Sequence, residues 1–329
     1  MHILICDYPD SMMPDHRLEM QTLKNGLGDD AVIDVLEYDD SRHDEFLKAI
    51  SKADALLTAF VNVDASVMDA APNLKVVSLN STGYDRVDLK EATKRGIGVC
   101  PVGEYCTTDV AEAAVAFVLA LHKRIKAYGQ QIDRDHEWDF SAFPAWPRLQ
   151  DQSVGIFGFG KIGKATSRKL MGLVKDISVC DPYISNESAL AAGVTMKDKD
   201  ELLATSDVII NIMNLNDTNV GCFNADAFAA MQRKPLFVNV SRGLCVDESA
   251  LLEALDSGQI RGYAADVLSD ETPDLANNAL VGRDNVLLTP HSAFYSTTSM
   301  EALQRLSCEN IVHFLKGEKE RVFKLVNAV

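Results

Sequence analysis

Residues 154–164 read V-G-I-F-G-F-G-K-I-G-K, and the next apolar run, at residues 178–181, reads S-V-C-D. The first run leads straight into three glycines with G-x-G-x-x-G spacing, and the second run closes on an acidic residue. Three glycines in a loop are common and prove little by themselves. A strand, a glycine loop, a helix and a second strand that ends in an acid together predict a βαβ unit that binds a dinucleotide.

Each residue of this pattern has a physical role. Gly158 lets the chain turn out of the strand, Gly160 lets the backbone approach a pyrophosphate, and Gly163 lets the next helix pack against the strand. The helix is predicted to begin near Lys161, with its N–H groups facing the phosphates. Asp181 is predicted to accept hydrogen bonds from the adenosine ribose and to repel a 2′-phosphate. The predicted cofactor is therefore NAD rather than NADP.

Length and charge limit the classes of protein that fit. The chain has 329 residues, enough for two domains with separate cores. Its formal net charge is −16, from 32 basic and 48 acidic residues. Such a surface repels nucleic acids and anionic membranes, so neither is expected as a partner. An anionic small-molecule substrate would have to be bound by local cations.

The cysteines and the apolar runs bear on metal binding and location. The seven cysteines are scattered, with no C-x-x-C pair and no His/Cys cluster of zinc-binding spacing, so no metal site is predicted. The N-terminal M-H-I-L-I-C-D has too short an apolar stretch for a signal peptide. The run Val110–Leu121, interrupted by Glu112, is too short to span a membrane. These features predict a cytoplasmic protein.

Strands and helices are predicted to alternate along the whole chain. The predicted strands are His2–Cys6, Val32–Glu37, Ala55–Ala59, Lys75–Leu79, Ser153–Phe157, Ile177–Cys180, Val208–Ile212, Leu236–Val240, Gly262–Ala265 and Val286–Leu288. The predicted helices include Arg17–Leu27, Asp44–Ser51, Ala65–Ala71, a long helix Asp109–Tyr128, and an amphipathic helix Ser299–Lys316 that returns to the first domain. The predicted fold class is α/β, with two Rossmann-like, doubly wound parallel sheets.

Three stretches place titratable side chains just past predicted strands, where open α/β sheets bind ligands. Asn239–Asp247 reads N-V-S-R-G-L-C-V-D. Gly262–Pro273 reads G-Y-A-A-D-V-L-S-D-E-T-P. Leu288–Ser296 reads L-T-P-H-S-A-F-Y-S. These stretches supply the candidate catalytic residues.

With these motifs in this order, the chain resembles the D-2-hydroxyacid dehydrogenase family, from S-L-N-S-T-G-Y-D-R-V-D at residues 78–88 to the C-terminal helix. H-S-A-F-Y-S resembles the D-lactate dehydrogenases, and D-P-Y-I resembles the C-terminal binding protein branch. The resemblance implies a flavodoxin-like substrate domain, 1–101 plus 292–329, and an NAD-binding Rossmann domain, 102–291. It also implies an active site in the cleft between the domains, and a homodimer.

The resemblance implies roles for the charged residues of these stretches. Arg242 would hold the carboxylate and carbonyl of a 2-keto acid through its planar fork of donors. His291 would donate the proton to the carbonyl oxygen as hydride arrives from NADH. Glu271 would fix the tautomer of His291 and favour its protonated form. Because Thr272 intervenes before the proline that usually follows this glutamate, Asp270 is an alternative partner.

Further contacts follow from position in the family. Backbone N–H groups of Thr82 and Gly83 would bind the substrate carboxylate, and Phe60 and Phe294 would line a pocket suited to a bulkier or apolar substrate side chain. The predicted cofactor-binding residues are Thr108, Gly158, Phe159, Gly160, Lys161, Ile162, Gly163, Asp181, Asn211, Met213, Asn214, Val240, Ser241, Arg242, Asp266 and His291. Asp266 is expected near the nicotinamide carboxamide.

The leading hypothesis is an NAD-dependent oxidoreductase that interconverts 2-keto acids and D-2-hydroxy acids. A second hypothesis is an NAD(H)-sensing scaffold of the C-terminal binding protein type, which would need only the nucleotide site. A third is a formate- or phosphite-type dehydrogenase, which lacks the usual Glu–His pair. Retention of Arg242, Glu271 and His291 favours the first hypothesis.

Overall fold

The computed structural model describes residues 1–13 and 15–329. They form two compact units, a discontinuous unit made of Met1–Tyr105 and Ser296–Val329, and a central unit, Cys106–Tyr295. The junctions fall after residues 105 and 295, whereas the sequence predicts them after 101 and 291. Both predicted junctions therefore lie a few residues earlier in the chain than the junctions between the compact units.

The discontinuous unit is built on a parallel sheet of five strands in the order β2-β1-β3-β4-β5. The strands are β1 His2–Asp7, β2 Val32–Glu37, β3 Ala55–Thr58, β4 Val76–Leu79 and β5 Gly98–Pro101. The helices are α1 Arg17–Leu27, α2 His43–Ile50, α3 Ala65–Ala70, α4 Leu89–Lys94 and the C-terminal helix Thr297–Leu315. This strand order is that of flavodoxin-like folds.

Apolar runs explain the strands, and short polar caps explain the helix starts. β3, β4 and β5 are buried on both faces, as expected of parallel strands covered by helices. Asp64 accepts the N–H groups of Ser66 and Val67 at the start of α3, which supplies partners for otherwise unpaired helix donors. The sequence prediction missed β5 and α4, because β5 is only four residues long and is bounded by glycine and proline.

The central unit carries a seven-stranded parallel sheet in the order β12-β11-β10-β9-β6-β7-β8. The strands are β6 Ser153–Phe157, β7 Asp176–Cys180, β8 Thr195–Met196, β9 Val208–Asn211, β10 Leu236–Asn239, β11 Gly262–Ala265 and β12 Val286–Leu288. The helices are α5 Thr107–His122, α6 Ile125–Asp133, α7 Lys161–Leu170, α8 Asn186–Ala191, α9 Lys199–Thr205, α10 Ala225–Ala229 and α11 Glu248–Asp256. Six strands were predicted, and the two-residue edge strand β8 is the addition.

The order of the central sheet reverses between β6 and β9. The chain runs outward from β6 to β7 and β8, then crosses to β9 on the other side of β6. The carboxyl ends of the strands at such a switch point form the crevice in which dinucleotides bind. The glycine loop follows β6 directly, so the fold puts it at this crevice.

The predicted single helix Asp109–Tyr128 is wrong, because the structure has two helices there. α5 ends at His122, and Arg124 adopts a left-handed backbone conformation with φ of 52° before α6 begins. The guanidinium of Arg124 lies 3.8 Å from the centre of the Trp146 ring, within cation–π range. This tertiary contact stabilises a conformation that an L-residue seldom adopts.

Candidate active site

The three glycines of the loop after β6 meet three different surroundings. Gly158 has φ of 90°, and a Cβ there would lie 2.9 Å from the carbonyl oxygen of Ile212. A Cβ on Gly163 would lie 2.3 Å from the carbonyl oxygen of Gly158, so only glycine lets α7 pack this closely. A Cβ on Gly160 would meet nothing within 4 Å. The open space is therefore at the glycine that is expected to face a pyrophosphate.

Asp181 lies at the carboxyl end of β7 and is tied to the glycine loop. Its Oδ2 accepts the N–H of Phe159 at 2.7 Å, and its Oδ1 accepts the N–H of Tyr183 at 2.9 Å. The Phe159 side chain is fully buried in the core, so this predicted cofactor residue can offer only its main chain. Asp181 thus fixes the glycine loop, and it lies at the end of β7, where a ribose contact is predicted.

Two asparagine side chains form a hydrogen bond with each other near the switch point of the central sheet. Asn211, at the end of β9, is fully buried and donates to the side-chain oxygen of Asn239 at 3.1 Å. Its own side-chain oxygen accepts the N–H of Met213 at 3.2 Å. Ser241 is also buried, and its hydroxyl donates to the Met213 carbonyl. Asn211 and Ser241 were predicted as cofactor contacts, and in the structure their side chains fix neighbouring backbone.

The structure brings His291 and Glu271 together, as the family resemblance implies. Nδ1 of His291 lies 2.8 Å from Oε2 of Glu271, and both side chains are partly open to solvent. His291 has φ of 48°, a left-handed conformation that its main-chain hydrogen bond to the carbonyl of Asp266, at 2.7 Å, helps to hold. The alternative partner Asp270 instead accepts the N–H of Thr272 at 2.8 Å.

Asp266 is a buried residue whose carboxylate is hydrogen-bonded to the loop that carries His291. It is 2% exposed, and its two oxygens accept the hydroxyl of Thr289 and the N–H groups of Ser292 and Ala293, the last two at 2.8 and 2.9 Å. The sequence placed Asp266 at the nicotinamide carboxamide. Its hydrogen bonds in the structure give it a further role that was not predicted, which is the positioning of the histidine loop; the contact with the nicotinamide stays a prediction.

Arg242 follows β10 and stands at the surface of the central unit. One of its Nη1 hydrogens is donated to the Ser241 carbonyl at 2.9 Å, and none of the described carboxylates forms an ion pair with it. Its planar donors therefore remain available for an anion. The next residue, Gly243, packs against the backbone of Leu268 so tightly that a Cβ would lie 1.9 Å from it. This packing fixes the turn that presents Arg242.

The substrate residues predicted in the discontinuous unit lie on loops after β3 and β4. Phe60 is 48% exposed. Within the described chain, no hydrogen bond uses the N–H of Thr82 or Gly83, so both donors remain open to an anion. Asp7 was missed by the sequence analysis. It is 4% exposed, accepts the N–H groups of Ala59 and Phe60, and burial raises its pKa against those hydrogen bonds.

The remaining predicted cofactor residues surround the same end of the central sheet. Thr108, Lys161 and Asn214 are exposed, Ile162 and Met213 are half-buried, and Val240 is buried. Phe294, predicted for the substrate, packs edge-on against the His291 ring at 6.2 Å between centroids. Asp7 had one usable indication in the sequence, because it is an acid that ends an otherwise apolar strand.

The site suits a dinucleotide. The open glycine loop, the helix α7 that begins right after Gly160, and the carboxylate of Asp181 are the parts that such a ligand requires. Within residues 1–13 and 15–329, no group of His, Cys, Asp and Glu side chains could hold a metal ion. Over the same ranges, the helices are too short or too polar to cross a membrane.

Comparisons with known proteins agree with this geometry. A family model described as D-isomer specific 2-hydroxyacid dehydrogenase, NAD binding domain, matches residues 115–293. A glyoxylate reductase from Thermofilum pendens is 35% identical over 282 residues, 84% of this chain and 82% of that protein. A hydroxypyruvate reductase from Blautia hydrogenotrophica is 30% identical over 286 residues, 85% of this chain and 87% of that protein.

A solved structure gives the same result. The apo-structure of D-lactate dehydrogenase from Escherichia coli superposes with a TM-score of 0.80 and 26% identity, covering 96% of this chain and 98% of the other. The fold and the site define an NAD-dependent oxidoreductase. The chain belongs to the D-isomer specific 2-hydroxyacid dehydrogenase family, and it interconverts 2-keto acids and D-2-hydroxy acids with NAD as cofactor. The scaffold and formate- or phosphite-type hypotheses do not describe these relatives.

Proposed function

We propose that His291 is the acid–base residue of the reaction and that Glu271 orients it. The observation that carries this proposal is the 2.8 Å contact between Nδ1 of His291 and Oε2 of Glu271. A carboxylate at Nδ1 holds the Nδ1–H tautomer and leaves Nε2 to exchange a proton with the substrate oxygen. Bound NADH supplies the hydride. Nε2 gives its proton to the carbonyl oxygen in reduction and takes it back in oxidation.

We propose that Arg242 binds the substrate carboxylate. Its guanidinium has no carboxylate partner among the residues described, and it is exposed at the end of β10. A planar guanidinium binds a carboxylate through two parallel hydrogen bonds, which a lysine ammonium cannot reproduce. The open N–H groups of Thr82 and Gly83 are proposed as further contacts for the same kind of anion.

The test compares His291→Ala with His313→Ala. His313, in the C-terminal helix, is a matched control because its Nδ1 also lies 2.8 Å from a glutamate oxygen, that of Glu318. We expect His291→Ala to lower kcat by ~10²- to 10⁴-fold while NADH binding, followed by its fluorescence, stays unchanged. His313→Ala should keep its turnover. Wild-type turnover in His291→Ala would exclude the proposed acid–base role.

For the substrate, we propose a small 2-keto acid such as glyoxylate or hydroxypyruvate. The support is that a glyoxylate reductase and a hydroxypyruvate reductase match this chain over more than four-fifths of its length. Exposed Phe60 and half-buried Phe294 instead favour a larger apolar side chain on the substrate. A panel of glyoxylate, hydroxypyruvate, pyruvate, a branched and an aromatic 2-keto acid, followed by NADH absorbance, decides between them. Highest kcat/KM for the aromatic acid would contradict the proposal.

We also propose that the enzyme is a homodimer joined through its central units. Four large apolar side chains are exposed on α6 and the segment after it, namely Ile125, Ile132, Trp138 and Phe140, the last two at 90% and 89%. Exposed aromatic side chains close together are typical of surfaces that bind another protein chain. Light scattering should give the dimer mass for the wild type and the monomer mass for the double variant Trp138→Ser, Phe140→Ser. A monomeric wild type would exclude this proposal.

We propose, finally, a cytoplasmic location. All seven cysteines are free thiols, and the pair Cys222 and Cys245 lies in contact without being joined. Thiols persist in this state in reducing compartments. Fractionation of cells that express the tagged full chain, with an antibody against the tag, should recover it with cytoplasmic marker enzymes. Recovery in an exported fraction would contradict the proposal.

A further inference from the structure

Two cysteines of the central unit, Cys222 and Cys245, lie side by side close to Arg242. Residues 221–223 run parallel to residues 244–247 and are joined to them by backbone hydrogen bonds. Gly221 donates to Leu244, Phe223 donates to Cys245, and Asp247 donates to Phe223, at 2.8 to 3.1 Å. Neighbouring positions of parallel segments carry their side chains on the same face. This register therefore sets Cys222 beside Cys245.

The two thiols are in contact and share hydrogen bonds. Sγ of Cys222 lies 3.6 Å from the carbonyl oxygen of Cys245, and Sγ of Cys245 lies 3.7 Å from the hydroxyl of Ser241. The contact with Cys222 lowers the pKa of the Cys245 thiol, and the same contact together with burial raises the pKa of Cys222.

The surroundings give a small oxidant access to one member of the pair. Cys245 is fully buried, whereas Cys222 is half-buried and its neighbour Val220 is 58% exposed. The accessible thiol thus lies against a buried thiol. This arrangement places the Cys245 sulfur where it can attack the Cys222 sulfur once that sulfur is oxidised.

We propose that Cys222 and Cys245 form a reversible disulfide that a peroxide closes, and that this disulfide lowers the reductase activity by displacing the turn after Arg242. The effect on activity rests on the role proposed for Arg242. That turn, Gly243–Cys245, follows Arg242 directly, and the Cys245 N–H donates to the Arg242 carbonyl at 3.3 Å. Drawing the sulfurs to the ~2.05 Å of a disulfide bond moves Cys245 and with it this turn.

The chemistry balances with hydrogen peroxide as the oxidant. The Cys222 sulfur attacks one peroxide oxygen, the O–O bond breaks, and hydroxide leaves with the Cys222 proton as water. Cys222 is then a sulfenic acid. The Cys245 sulfur attacks the Cys222 sulfur, the S–S bond forms, the S–O bond breaks, and the second hydroxide leaves with the Cys245 proton as water. Two sulfurs lose two electrons, and the peroxide gains them.

The test treats the purified full-length enzyme with hydrogen peroxide, alkylates the remaining thiols, and maps peptides without reduction. We expect a Cys222–Cys245 crosslink, a loss of kcat/KM for the keto acid of about tenfold or more, unchanged NADH binding, and full recovery with dithiothreitol. The variant Cys222→Ser should form no crosslink and lose less than about twofold. Cys180→Ser removes another half-buried thiol of the same unit and should remain as sensitive as the wild type.

Each outcome decides a separate point. Absence of the crosslink, or a crosslinked enzyme with full activity, would overturn the inference. Peroxide inactivation of Cys222→Ser that dithiothreitol reverses would overturn it as well, because another thiol would then be responsible. A reduced enzyme that acts on no 2-keto acid would overturn the proposed substrate class instead, and the peptide map would still decide whether the disulfide forms.

Discussion

Glu271 is twenty residues from His291 in the sequence, and its Oε2 lies 2.8 Å from Nδ1 of that histidine. The neighbouring carboxylate of Asp270 accepts its hydrogen bond from Thr272 and does not take part in this contact. The two adjacent acids therefore differ in their hydrogen-bond partners although they are equal in charge. This difference permits a test in which only the position of the lost charge varies.

We expect Glu271→Gln to lower kcat by up to ~10²-fold, less than the loss of His291 itself, because the uncharged amide orients the imidazole but does not stabilise its protonated form. The pH profile of kcat should shift with it. Asp270→Asn should change neither kcat nor the profile. The measurement is steady-state reduction of the best 2-keto acid from pH 5 to pH 9. Equal losses in the two variants would show that general charge, and not the contact with His291, controls the rate.

Two substitutions in the glycine loop should change different properties, one the free energy of unfolding and the other the binding of NADH. Gly163→Ala should lower the free energy of unfolding by ~1–3 kcal/mol, since its Cβ would lie 2.3 Å from the Gly158 carbonyl oxygen. Gly160→Ala has room, with φ of −70° and nothing within 4 Å of its Cβ, so stability should be unchanged. Its methyl group should instead raise KM for NADH. Urea unfolding and cofactor titration measure the two effects, and a destabilised Gly160→Ala would contradict this assignment of the open space.

Asp181 allows a test of cofactor choice. We expect Asp181→Asn to raise the ratio of kcat/KM for NADPH to that for NADH by about tenfold, or ~1.4 kcal/mol, because the amide no longer repels a 2′-phosphate. Asp176→Asn, at the opposite end of β7, removes the same charge away from the site and is the control. An unchanged ratio in Asp181→Asn would mean that other residues select the cofactor.

Much of this architecture was predictable because its determinants are local in the sequence. β6, the glycine loop and α7 follow one another without interruption, so the apolar run, the glycine spacing and the acid after β7 predict the unit together. The pairing of Glu271 with His291 was predictable only through the family resemblance. Nothing in the two stretches themselves indicates that residues twenty positions apart meet.

The features that were missed depend on contacts from distant parts of the chain. Arg124 has no local preference for the left-handed conformation that separates α5 from α6, and it is held by stacking on Trp146. The hydrogen-bond partners of Asp266, which were not predicted, are 23 to 27 residues further along the chain. A sequence shows that an acid ends a strand, but not which N–H groups will surround it in the fold.

The buried side chain of His122 should make the free energy of unfolding depend on pH. It is 7% exposed at the end of α5, its Nδ1 has no hydrogen-bond partner among the described residues, and burial lowers its pKa from the ordinary value of 6.5. In the unfolded chain, by contrast, water hydrates the charged ring. Between the two pKa values the unfolded state binds more protons than the folded state, so acid favours unfolding.

The contribution of neutral His122 to stability is complete above its unfolded value of 6.5 and is lost as the pH falls through the lowered pKa of the folded protein. We therefore expect the free energy of unfolding to decrease on acidification below pH 6.5, and the decrease to be smaller in His122→Gln, which cannot be protonated. His136→Gln is the control, because that histidine is exposed and solvent hydrates its ring in both states. Urea unfolding between pH 5 and pH 8 measures all three proteins. Equal slopes for His122→Gln and the wild type would contradict the assignment, since the acid sensitivity would then come from other groups.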